Sequence, residues 1–119
     1  MPDSAAEIQR YLDRPLDDLT QEFALYREQA TGTTRGFSDA WEKIVPALKQ
    51  KICDEGNWCE RRQDARFDEP MTVITLVISM IAPAAMQWQV PAALIAVILF
   101  KRGIDAFCGC PPMGAKKEV

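Results

Sequence analysis

The chain has 119 residues, 48% of them hydrophobic and 26% charged, which suits one domain with one core and excludes wholesale disorder. A formal charge of −3 disfavours nucleic-acid binding, because basic surface supplies most of that affinity. The absence of histidine excludes Ser-His-Asp and Cys-His catalysis, histidine-ligated zinc and histidine pH switching.

These averages blend three zones. Residues 1–69 hold ten Lys or Arg against fifteen Asp or Glu, a net of −5. Residues 70–100 hold no charged residue at all. Residues 101–119 hold four basic against two acidic residues, a net of +2.

The acidic zone reads as helices. Ser4 and Glu7 fit a capping box, in which hydroxyl and carboxylate each satisfy a free backbone N–H. Ile8, Tyr11 and Leu12 then fall on one helical face. Arg14-Pro15 ends that helix, and Pro15 suits the first position of the next. Leu16, Leu19, Phe23 and Tyr26 give the second helix its apolar stripe, with Asp17 and Asp18 near its positive end. Thr31-Gly32-Thr33-Thr34 stops it. Ser38 is the expected N-cap of a third helix carrying Trp41, Ile44, Val45, Leu48 and Ile52, kinked or divided at Pro46. Asn57 and Glu60 mark a further N-cap. The charged segment 58–67 reads as a short solvated helix fixed by Trp58, Cys59 and Phe67. The alternative is a contact surface of Arg61, Arg62 and Arg66 for an acidic partner.

Pro70 opens the uncharged zone. Residues 71–82 are rich in β-branched side chains, yet no second strand-like run exists for them to pair with. A lone strand leaves its backbone groups unmet, so a buried helix is expected. Residues 83–91 form the expected connection, with Trp88 inside it as a core residue, a membrane-interface residue or a partner-binding anchor. Pro91 starts the last helix, with Leu94, Ile95, Ile98 and Phe100 on its apolar side. Ile104 and Phe107 continue it past Gly103, and Cys108-Gly109-Cys110-Pro111-Pro112 terminates it.

Taken whole, residues 71–100 are long enough to cross a bilayer. Divided at Pro83 and Pro91, the runs reach only about 18 Å and about 14 Å, short of a hydrocarbon core of roughly 30 Å. A soluble core hairpin is therefore expected, covered by the amphipathic N-terminal helices. Membrane insertion of 71–100 is one alternative, and an exposed hairpin that docks on another protein is the other.

No signal peptide is visible in residues 1–20, so the expected compartment is the cytoplasm, where the four cysteines would be reduced. Cys53 and Cys59 read as small core residues. Cys108 and Cys110 read as exposed, open to oxidation or acylation. Neither pair has zinc-site spacing, and four thiolates converge only if the C-terminus packs beside the third helix. No phosphate loop, dinucleotide fingerprint or nucleophile elbow occurs, so no catalytic residue, metal or cofactor is assigned. The closing stretch from Lys101 to Cys108 after an apolar hairpin resembles small helical bacterial proteins, a resemblance that assigns no residue a role.

The expected fold is all-α: a bundle of about five or six short helices over residues 1–112, with 1–69 charged, 70–108 a central apolar hairpin, and 113–119 a flexible tail. The expected function is that of a small non-enzymatic adaptor acting through protein–protein contacts. Its candidate contact residues are Arg61, Arg62, Arg66 and Trp88.

Overall fold

Proline and glycine set most of the helix boundaries. The computed structural model describes residues 5–32, 36–63 and 69–110. Helices α1 (Ala5–Leu12) and α2 (Leu16–Thr31) meet at Pro15, whose extended backbone precedes α2. Gly32 takes a left-handed conformation and returns its N–H to the Glu28 carbonyl, closing α2. Helix α3 (Gly36–Lys49) runs directly into a π-helical turn, Gln50–Asp54. Then come α4 (Trp58–Arg61), α5 (Pro70–Trp88), α6 (Ala92–Arg102) and α7 (Ile104–Cys108). The fold is all-α, and no strand occurs among the described residues. Ser4, Thr33, Thr34, Arg66, Phe67 and the segment 111–119 lie outside them.

Several boundaries differ from expectation. Ser38 is the third residue of α3 rather than its N-cap. Pro46 lies inside α3 without dividing it, and the ladder loosens into the π-turn only after Lys49. Pro83 likewise lies inside α5, which continues to Trp88. An internal proline removes one ladder bond and crowds the preceding turn, at a cost of about 3 kcal/mol. Burial of Ile78, Ile81 and Ala85 on both sides of Pro83 offsets that cost. The connection shrinks to Gln89, Val90 and Pro91. Gln89 supplies its left-handed cap (φ 61°), an unusual role for a residue with a side chain.

Helix α6 is the axis of the bundle. Every residue from Ala92 to Leu99 is buried, as befits a helix apolar all round. α1, α2, α5 and α7 all pack on it. Its single polar end carries Lys101 and Arg102 in the last turn, where cations suit the negative helix terminus. Gly103 (φ 102°) then breaks the helix and turns the chain into α7, so the last helix does not continue straight past it.

The acidic zone supplies the surrounding layer. Ile8 and Tyr11 of α1, Leu19 and Phe23 of α2, and Trp41, Ile44 and Leu48 of α3 are buried as the stripes predict. Burial pushes the Tyr11 phenol well above its ordinary range, and the nearby Glu22 carboxylate adds to this. Phe23, Phe37 and Trp41 form an aromatic cluster with centroids 5.3–5.6 Å apart, within the range of attractive ring pairs. Arg14 pairs with Glu22 across the α1–α2 corner. Gly56 lets the π-turn region approach α5 closely. A Cβ there would lie 2.6 Å from the Ile52 carbonyl oxygen and 2.7 Å from Met80 Cε.

Candidate binding surfaces and the disulfide clasp

The four cysteines converge from two distant segments. Cys53, in the π-turn, is bonded to Cys108 at the end of α7. Cys59, in α4, is bonded to Cys110. The reduced, independent thiols expected from the sequence are thus corrected to two disulfides, and no free cysteine remains. The end of α7 does pack beside the π-turn that follows the third helix, and the four sulfurs are used up in covalent bonds. Closing a loop of 55 residues lowers the entropy of the unfolded chain by the equivalent of about 4 kcal/mol. The second bond then closes only a short additional loop, worth about 2–3 kcal/mol.

Polar contacts reinforce the same junction. Asp105 of α7 accepts a hydrogen bond from the Trp58 indole at 2.8 Å. Its other oxygen pairs with the Arg62 guanidinium at 2.8 Å. The Arg62 side chain is only 7% exposed, whereas Asp105 is 53% exposed. The pair therefore combines a desolvated cation with a hydrated anion. Its net worth is modest, but loss of the carboxylate would leave the cation badly matched.

This geometry redistributes the predicted contact residues. Arg61 is exposed. Arg62 is committed to α7 and to the Cys59 carbonyl, so it is part of the clasp rather than a contact surface. Arg66 lies outside the described residues. Trp88 stands in the last turn of α5, not in a loop, and is half-buried against the core. Its carbonyl accepts a hydrogen bond from Arg27 at 2.9 Å, which ties α2 to the end of α5. Trp58 is buried with its indole satisfied, so it anchors α7 as well as starting α4.

Two surfaces emerge besides the predicted contact residues. The first is the outer face of α5. Thr72, Thr75, Ser79, Pro83, Met86 and Gln87 recur at helical spacing, exposed or half-buried, with no charge among them, while Leu76 and Met80 beside them pack toward the π-turn. Met86 is 79% exposed. Only 33% of the helix's most apolar 18-residue window is buried.

The second is a groove of about 340 Å³ between α3 and the corner joining α6 to α7. It exists because α3 packs on α2 and the π-turn, leaving a gap beside the C-terminal end of α6. Trp41, Val45, Leu99 and Phe107 line it, with Lys49 and Arg102 as its cations. Lys49 lies 5.6 Å from the centre of the Phe107 ring, and Arg102 lies 5.5 Å from that of Phe37. Both distances fall within cation–π range, about 6 Å. Neither cation has a carboxylate partner among the described ion pairs.

The fold and these surfaces define an all-α protein whose C-terminal helix is fastened by two disulfides and whose surface carries an uncharged helix face and a cationic apolar groove. Comparison with protein-family models, curated proteins and solved structures finds no match to this chain.

Proposed function

We propose that the protein is a non-enzymatic contact module that binds another protein through the outer face of α5. The uncharged face carries this reading. A helix facing water ordinarily presents charges there, and α5 presents threonine, serine, glutamine and methionine instead. Exposed methionine gives a polarizable, adaptable contact. Among the described residues, the lining of the groove between α3 and the α6–α7 corner holds no carboxylate, thiol or hydroxyl, which supports a binding rather than a catalytic role. The two disulfides favour an oxidising compartment over the cytoplasm expected from the N-terminal sequence.

The test is a pair of charges on the face, Thr75→Arg with Met86→Arg. Both positions are exposed, so the variant should fold as the wild type does. It should lose at least tenfold in affinity for the partner that the wild type binds. A partner held equally well by both proteins would refute the role of this face.

The length of α5 favours a second reading. Its 19 residues span about 28 Å at about 1.5 Å per residue, close to a hydrocarbon core of roughly 30 Å. Insertion would have to proceed with α5 peeled from the bundle, because α6 is enclosed on all sides. Flotation with vesicles of phosphatidylcholine and phosphatidylglycerol separates the two. Co-flotation abolished by the same two arginines would favour the membrane.

A further inference from the structure

The groove beside the α6–α7 corner has features that a purely structural gap would not need. Its floor is apolar and partly aromatic. Its cations, Lys49 and Arg102, come from different helices, are both exposed, and carry ring contacts instead of carboxylate partners. In a chain of net charge −3, a groove whose described lining holds two cations and no carboxylate is suited to an anion. The aromatic contacts hold each cationic group near the groove while leaving its N–H donors free for an anion.

We propose that this groove docks an acidic peptide segment of a partner protein, which seats an aliphatic or aromatic side chain between Trp41, Val45 and Phe107 and places carboxylates on Lys49 and Arg102. Charge complementarity identifies the occupant. The groove is open along its length, so it cannot enclose a small molecule over most of its surface as ligand pockets do. Two cations are too few for a nucleic-acid backbone, which requires a broad basic patch. A peptide needs only one buried anchor and flanking charges, which fix register and speed encounter. The wall of the groove formed by Ala106 and Phe107 belongs to α7, which the two disulfides hold in place. The groove is therefore preorganised, which reduces the ordering cost of binding. The inference rests on reading the chain as a protein-contact module, but it places the contact at a different surface from α5.

The experiment selects binders to the full-length oxidised protein from a library of random twelve-residue peptides. The strongest is then titrated into ¹⁵N-labelled protein. Enriched peptides should pair Asp or Glu with Leu, Phe or Trp, and should shift the Trp41 indole and the Gly103 and Ala106 amides. Lys49→Glu with Arg102→Glu should weaken them at least tenfold. A charge-matched control, Lys43→Glu with Lys101→Glu, should weaken them less than threefold. Both variants alter exposed side chains, and circular dichroism checks that each is folded. Several results overturn the proposal: no enrichment, enriched peptides without acidic residues, equal losses in both variants, or binding seen only after removal of residues 111–119. Tighter binding of a single-stranded oligonucleotide overturns it as well. Peptides that shift α5 instead refute the groove but leave the α5 contact reading standing. No binder at either surface refutes both.

Discussion

Helices α5 and α6 come from the same uncharged stretch and meet different fates. α6 is sealed on every side from Ala92 to Leu99, whereas α5 buries only Val73, Ile74, Val77, Ile78, Ile81 and Ala85 on one face. The difference lies in the residues between those contacts. α6 reads alanine, leucine, isoleucine and valine without interruption. α5 inserts Thr72, Thr75, Ser79, Pro83 and Gln87 on its outer side. Lack of charge thus marks two different things: a core axis in one helix, and in the other a surface kept neutral. Hydropathy averaged over the stretch cannot distinguish them, but the phase of its small polar residues can.

The sharpest way to break this comparison is to charge each helix in turn. Ile98→Asp puts a carboxylate at the sealed centre and should cost more than about 4 kcal/mol, enough to unfold the protein. Thr75→Asp on the outer face of α5 should stay within about 0.5 kcal/mol of wild type. Urea titration of both measures the contrast, and comparable losses would mean that α5 is as buried as α6.

The clasp is next in size. Replacing Cys59 and Cys110 by serine, with the other disulfide intact, should lower unfolding free energy by about 2–3 kcal/mol and loosen α7 beside the end of α6. Removing both disulfides should cost more than either alone. Hydrogen exchange at Phe107 reports the loosening, and protection equal to wild type would show that noncovalent packing alone holds α7.

Gly56→Ala should cost about 1–3 kcal/mol, because the added carbon meets a backbone oxygen that cannot move freely. Unchanged stability would mean that α5 stands further from the π-turn than described. In the opposite direction, Gln89→Gly should gain up to about 1 kcal/mol by relieving the left-handed cap between α5 and α6. A loss there would mean that the Gln89 side chain contributes more than the strain it imposes.

The last effect depends on pH and concerns Tyr11, on a helix packed against α6. Its folded-state pKa is raised above the ordinary value of 10.0. Below pH 10 the phenol is neutral in both states and ionisation has no effect. Above it the unfolded chain ionises first, so stability is lost as pH rises, by at most about 1.4 kcal/mol per pH unit. Tyr11→Phe should flatten this fall, and an identical alkaline slope in both proteins would count against burial of the hydroxyl.

Much of the bundle was readable in advance because its signals are local. The stripes through Ile8, Tyr11, Leu19, Phe23, Trp41, Ile44 and Leu48 follow from helical periodicity. The stops at Pro15, Gly32, Pro70 and Pro91 follow from backbone chemistry. Pro83 misled because its local penalty is smaller than the packing of the residues around it. The candidate surfaces were less legible. Arg62 stands in a charged run that reads as solvent-facing, and only the fold brings Asp105 across to it from 43 positions along the chain. An even number of cysteines without zinc spacing was a signal for disulfides, but four cysteines allow three pairings and sequence alone does not choose among them.

The sequence by itself determined the helical class, the apolar stripes and the uncharged stretch, because each depends on residues within a few positions of one another. Tertiary structure decided which cysteines pair, that Arg62 meets Asp105, and that Lys49 and Arg102 face one groove. Those outcomes depend on contacts between segments far apart in the chain, and no local periodicity encodes a distance of that kind.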